Sequence, residues 1–454
     1  MIAGVLVVAV LLTGGRWISH VPVGPLYISD VLMFAAFAQV ACSSLLSPKR
    51  TGRTYGPGIL VGLLLVMTAF RLLATRADVW TAARDAAPFA YAVISYLSAS
   101  AYQRAGDHSR ARTVRLLHGG LLLHFGWLTV ATFAPGFATA MPQVDASSRV
   151  MEIRTDFDVA LLGVLAGVSI LRMRGGRTWL HATMAAAALV PALALPSRAG
   201  ILACGACVLV ALLLRSARHG RINVRVVLAT AAAVLALAAV LPFTPGGQRL
   251  LATDGSATAS SDVVAGAVGT KQARMTAWDR VMTYTLDDSV RTSVGVGFGP
   301  NFMEQSHADI PLRGRGEDKA DGLRSPHNYL LTAFARLGLA GLTVVASLLA
   351  VLGSVVIRTV RRGPPDELTS VSVLLVIALC TAALLGVVLE APFGAIPFFW
   401  AVGILIAGDR SRRARLRQKP ERKAPPAVVR TPTGTGPGVS ALPKTEIAGQ
   451  LSSV

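Results

Sequence analysis

"SPHNYLLTAFARLGLAGL", Ser325 to Leu342, changes character along its length. It opens on Ser325, Pro326, His327 and Asn328, after which Leu330, Phe334, Leu337 and Gly341 recur at helical spacing. From Leu337 to Ile357 no charged residue occurs, which is 21 residues. A helix of that length reaches across a hydrocarbon layer of about 30 Å. Residues 327–336 therefore suit an amphipathic helix at a membrane interface, and the chain is expected to turn there into a span at 337–357.

The rest of the chain has the same composition. Of 454 residues, 53% are hydrophobic and 15% charged, and mean hydropathy is +0.56. So little polar surface cannot clothe ordinary soluble domains. The fold class read from this is an all-α polytopic membrane protein. Twelve candidate spans lie near 1–13, 25–46, 56–70, 86–102, 116–134, 157–171, 178–195, 199–214, 226–243, 337–357, 369–389 and 391–407. The first of them has neither a charged leading region nor a small-residue cleavage site, so it reads as a span and not as a cleaved signal. Cys42, Cys204, Cys207 and Cys380 all fall in apolar segments, without metal-ligand spacing to histidines, and read as packing residues.

Charge placement orients the spans. With the N-terminus inside, the inner loops and the tail from Gly408 hold 27 Lys and Arg against six acidic residues. The remaining 17 basic and 18 acidic residues face outward, so the net charge of +20 divides into +21 inside and −1 outside. Basic residues concentrate on the cytoplasmic side of membrane proteins. The excess thus reports topology and contact with anionic lipid, and nucleic-acid binding is not needed to explain it. The organisation expected is residues 1–243 as nine spans, 244–326 as a large extracytoplasmic loop, 327–408 as the interfacial helix and three spans, and 409–454 as a disordered basic cytoplasmic tail.

Loops as long as 244–326 are usually functional. His327 and Asn328 close it, and two readings stand: a cap on the following helix, since Asn is a favoured cap, or a site at a helix start that attracts phosphate. Arg198 in "LPSRAG" lies between two closely spaced apolar segments, where it either snorkels or faces a substrate. Arg274 and Arg280, about 240° apart on a helix, cannot share one face. "GVGFG", Gly295 to Gly299, lacks the spacing of a nucleotide loop and reads first as a glycine-dependent turn. Glu317, Asp318 and Asp321 alternate with basic residues, so no metal site is expected.

Three motifs, "SRAG", "ARMTAWDRV" followed by "VGVGFGPN", and "SPHNYLLTAFARLGLAGL", resemble the O-antigen ligase and polymerase family of bacterial inner-membrane proteins. The resemblance implies a GT-C-like fold. It also implies metal-independent, cofactor-free transfer of a glycan from undecaprenyl diphosphate to a glycan or lipid acceptor outside the cytoplasmic membrane. Arg198 and Arg274 match the family's basic positions, with Arg280 and Arg324 as further candidates for the diphosphate. His327 is the residue type suited to accept the acceptor hydroxyl's proton, with Asn328 supporting it. Twelve spans also suit a transporter or flippase, but few ionisable residues lie near the middles of the spans and no paired broken helices recur.

The orientation has a direct check. In a cysteine-free variant, a single cysteine at Ser256 should label in intact cells and one at Ser411 only after permeabilisation. Equal labelling of both in intact cells contradicts the assigned sidedness.

Overall fold

The computed structural model describes residues 2–23, 26–31, 33–36, 38, 56–75, 77–145, 148–173, 177–218, 243–244, 262–313 and 323–418. The described residues are mostly helical. In order the helices are α1 (Ile2–Ser19), α2 (Gly56–Leu73), α3 (Val79–Ala90), α4 (Val93–Arg104), α5 (Asp107–Phe133), α6 (Pro135–Ala140), α7 (Thr155–Arg172), α8 (Thr178–Ala194) and α9 (Arg198–Arg218). Then follow α10 (Asp262–Leu286), α11 (Ser289–Val294), α12 (Phe302–Gln305), α13 (Ile310–Arg313), α14 (Tyr329–Arg362), α15 (Glu367–Ala383) and α16 (Pro392–Gln418). Two short antiparallel hairpins pair Pro22–Val23 with Leu26–Tyr27 and Gln143–Asp145 with Ser148–Arg149. Met1–Arg412 forms one compact unit; of the second, Arg413–Val454, the described residues are the last turn of α16.

Among the described residues, four helices are long and apolar enough to cross a membrane: Asp107–Phe133, Arg198–Ala217, Tyr329–Arg362 and Pro392–Ala414. Four shorter apolar helices accompany them. This is a polytopic membrane protein, but several of the twelve expected spans are drawn differently. The first helix breaks at Gly15, whose φ of 59° and ψ of −134° leave the helical region, close to the expected end at residue 13, and continues to Ser19. The expected span 86–102 is broken into α3 and α4 by a turn at Tyr91 and Ala92, with Pro88 removing a donor just before it. Residues 107–115, read as an inner loop, are the first turns of α5. The expected span 226–243 lies outside the described residues except at Phe243, as does half of 25–46.

Helix α7 is the axis of the bundle, with every residue from Phe157 to Leu171 buried. It packs most extensively on α9, then on α8 and α15. The approach to α9 is close because small residues face it: a Cβ on Gly163 would strike the Cys204 backbone, and one on Gly200 would press on the Thr155 carbonyl and Val159. Membrane helices, lacking a hydrophobic force between them, associate through such small-residue contacts. Cys204 and Cys207 are buried here, and the Cys207 thiol lies 3.4 Å from the Leu374 carbonyl.

Helix α14 is two helices meeting at Gly338, whose φ of 66° and ψ of −165° leave the helical region. Gly295, at φ 77°, crosses this break backbone to backbone. A Cβ on Gly295 would overlap Arg336 and Leu337, and one on Gly338 would overlap Ser293 and Val294. Only glycine fits both the conformation and the gap. The segment 329–337, expected to lie half-exposed at an interface, is instead buried on nearly every side, with α10 residues Ala273, Ala277 and Val281 on one flank and Phe89 and Phe298 on the other. Its one cation, Arg336, 2% exposed, tolerates this because Asp85 of α3 sits 2.8 Å away.

Candidate active site

The site is built on the turn Ser325–Asn328, just ahead of α14. Asn328 is the helix cap, its side-chain oxygen accepting from the Leu330 and Leu331 amides at 3.1 and 3.2 Å. His327 plays no part in capping. It is 6% exposed and held at φ 58°, a left-handed conformation that costs a non-glycine residue about 1–2 kcal/mol. Two bonds hold the turn: the Trp278 indole N–H donates to the Pro326 carbonyl at 2.6 Å, and the His327 amide donates to Ser325 Oγ at 3.1 Å. Backbone strain kept in place by its surroundings clusters at functional positions.

Beneath the turn lies Glu390, at the end of a 3-10 turn, Val388–Glu390. Thr332 donates to its Oε1 at 2.8 Å and the Ser325 hydroxyl also bonds it. Desolvation raises the Glu390 carboxyl above the ordinary range, while those two hydrogen bonds and the charges of His327 and Arg336 oppose the shift. Ser325 thus joins the His327 amide to the Glu390 carboxyl. Sequence reading missed Glu390 because it lies in the short gap left between two apolar runs, 369–389 and 391–407, and a lone acidic residue there reads as a loop charge.

The same 384–391 connection gathers the arginines. Arg274 Nη1 donates to the Leu385 carbonyl at 2.7 Å. Gly386 packs against the Asp156 carboxylate, which pairs with Arg154 Nε at 3.2 Å. One residue along, the Thr155 carbonyl packs against Gly200 of "SRAG". In that motif Ser197 Oγ accepts the Gly200 amide at 3.0 Å, capping α9, and Arg198 is its first helical residue. Arg274 thus reaches the connection that holds Glu390, and the "SRAG" turn adjoins it through Thr155 and Asp156 of α7.

The other two arginines are engaged elsewhere. Arg280 Nη1 donates to the His307 carbonyl at 2.6 Å, away from the turn. Arg324 forks onto Asp85, with Nε to Oδ1 at 3.1 Å and Nη2 to Oδ2 at 2.6 Å, and also donates to the Gly299 carbonyl at 2.6 Å. The glycine loop follows from the same cluster. The amides of Val296, Gly297 and Gly299 donate to Ala335 O, Arg336 O and Asp85 Oδ2, so they do not form a cradle open to a phosphate. Its carbonyls are held by Arg71, Arg336 and Arg324. The acidic residues at 317, 318 and 321 lie outside the described residues.

Residues 182–346 match the Wzy_C family model, described as O-antigen ligase. This part of the chain is similar to O-antigen ligases. The matched segment runs from α8 through Arg198, Arg274 and His327 to the first turns after Gly338, which covers all three motifs on which the resemblance rested. The family implies ligase- or polymerase-type glycan transfer and a place in polysaccharide biosynthesis. Comparison with curated proteins finds no match.

Glu390 gives a pH test. Its folded carboxyl binds a proton more tightly than an unfolded one, so unfolding releases protons and stability falls as pH rises from the ordinary carboxylate range through the raised value. Glu390→Gln should flatten that fall, which thermal unfolding across pH in detergent would show. An unchanged slope means that Glu390 is not held protonated by its surroundings.

Proposed function

We propose that the protein transfers a glycan from an undecaprenyl diphosphate donor to an acceptor hydroxyl at the outer face of the cytoplasmic membrane. The observation that carries this reading is the strained, buried His327, held between the Trp278 anchor and the Ser325–Glu390 pair on the connection that Arg274 also reaches.

The chemistry needs no nucleotide and no metal. The acceptor oxygen attacks the anomeric carbon, the bond from that carbon to the phosphate oxygen breaks, and undecaprenyl diphosphate leaves. His327 accepts the proton of the attacking hydroxyl. Arg198 and Arg274 stabilise the charge that grows on the leaving diphosphate, where planar guanidinium groups form paired, charge-assisted hydrogen bonds. Glu390 is a positioning residue. Its bonds to Ser325 and Thr332 fix the turn from which His327 projects. The amphiphilic donor suits a site at the end of a membrane bundle, because the isoprenoid stays in lipid while the diphosphate meets the arginines.

His327→Asn separates this role from a structural one, since Asn tolerates the left-handed backbone that His327 adopts. Membrane abundance and donor binding should stay near wild type while transfer falls by about 10²–10⁴-fold, the usual contribution of a positioned base. Arg198→Lys should lose much of the activity although charge is kept, because lysine lacks the fork. Wild-type transfer rates in both variants, with normal insertion, contradict the assignment.

A further inference from the structure

A second cavity opens at the same end of the bundle. It holds about 480 Å³ and is lined by the end of α5, by α6, by Gln143, Ser148 and Arg149 of the hairpin strands and by the segment 150–153. Its wall combines apolar Ala138, Met151 and Ile153 with polar Gln143, Ser148 and Glu152. Two features mark it as built for a ligand. Ser148 is 3% exposed and its hydroxyl has no hydrogen-bond partner among the described residues. A buried hydroxyl without a partner is uncommon in a folded protein. Met151 is held at φ 62°, a conformation that strains a side chain with no glycine to relieve it.

The charged groups of the wall are already fixed. Glu152 Oε1 accepts from Arg16 Nη1 at 2.7 Å and its Oε2 accepts the Arg149 amide at 3.2 Å. Arg149, the other charged residue of the lining, donates a guanidinium N–H to the Thr139 carbonyl, so a ligand meets polar groups already engaged with the protein beside apolar side chains. Its volume falls in the usual range of small-molecule pockets. Pyranose rings carry this pairing of surfaces, with C–H faces for apolar walls and hydroxyls for amides and hydroxyl groups. The cavity wall also continues into the site. Ile153 adjoins Arg154, which pairs with Asp156, and Asp156 packs against Gly386 four residues before Glu390.

We propose that this cavity is a saccharide subsite that holds the glycan of the acceptor while its terminal hydroxyl reaches His327. The assignment rests on the transfer reading above. Sugar rings of the donor share the same chemistry, so the test distinguishes the two sources.

The test uses the full-length protein in its native membrane, in the His327→Asn background, with the photo-crosslinker p-benzoylphenylalanine in place of Thr139, which lines the cavity and is exposed. Irradiation should give a carbohydrate-bearing adduct, detected by periodate and hydrazide labelling, whose mass is unchanged by mild acid. The same crosslinker at Phe137, exposed on α6 and outside the lining, should give none. Ser148→Ala removes an unpartnered hydroxyl, so the fold should tolerate it, and the adduct yield should fall about 3–10-fold, the value of one neutral hydrogen bond. Absence of carbohydrate at Thr139, or equal yield at Phe137, overturns the subsite. An adduct that sheds a prenyl diphosphate in acid overturns its assignment to the acceptor. If His327→Asn still transfers normally while the adduct forms, the catalytic reading fails and the cavity stands; an inactive variant without adduct leaves the catalytic reading and removes the cavity.

Discussion

The crossing of Gly295 over Gly338 is the contact on which the site depends. Two backbones meet there with no side chain between them, and the break in α14 that this forces turns the buried segment 329–337 out of line with the membrane helix. Asp85 locks the crossing from the side. It pairs with Arg336 just before the break and with Arg324 just before the histidine turn, and it accepts the Gly299 amide between them. One carboxylate, 6% exposed, thus joins α3, the glycine loop, the histidine turn and α14. Removing one partner of such a buried network typically costs about 3–5 kcal/mol, because the remaining charges lose their compensation.

The polar cluster extends from that lock to the chemistry. Arg336 pairs with Asp85, and Glu390 lies close to both Arg336 and His327, so the polar groups that fix the fold continue to the histidine turn. The histidine is held in its strained conformation by the surrounding bonds, which keeps it in one orientation. A site made of secondary-structure ends braced by a buried ion cluster is more rigid than one carried on an open loop.

The sequence showed some of this directly. The membrane class, the change of direction near the start of the longest helix, α14, and the histidine motif were legible because each rests on local signals: composition, helical spacing and an unusual polar placement. The turn reading of "GVGFG" was also available from its spacing, and the structure shows its amides committed to protein acceptors. What depended on distant partners was not legible. Nothing near Asp85 in sequence announces that Arg324 and Arg336 close on it, so the sequence offers Arg324 only as a further candidate for the diphosphate and does not single out Arg336. Glu390 was hidden for the same reason, since Ser325 and Thr332 lie about sixty residues away. The split of 86–102 into two short helices was missed because apolar composition continues unbroken through Tyr91 and Ala92.

The most direct measurement of whether this lock serves catalysis by holding His327 is a double-mutant cycle between Arg324→Gln and His327→Asn, read as the glycan transfer rate per folded protein at saturating donor. Arg324→Gln leaves Asp85 paired with Arg336, so the fold keeps its buried neutralisation. If Arg324 acts through the histidine turn, its loss lowers the rate about 10-fold in the wild-type background and less than about 2-fold when His327 is already absent. The same fold-loss in both backgrounds would mean that Arg324 contributes independently of His327, as a ligand of the diphosphate would, and would contradict the account.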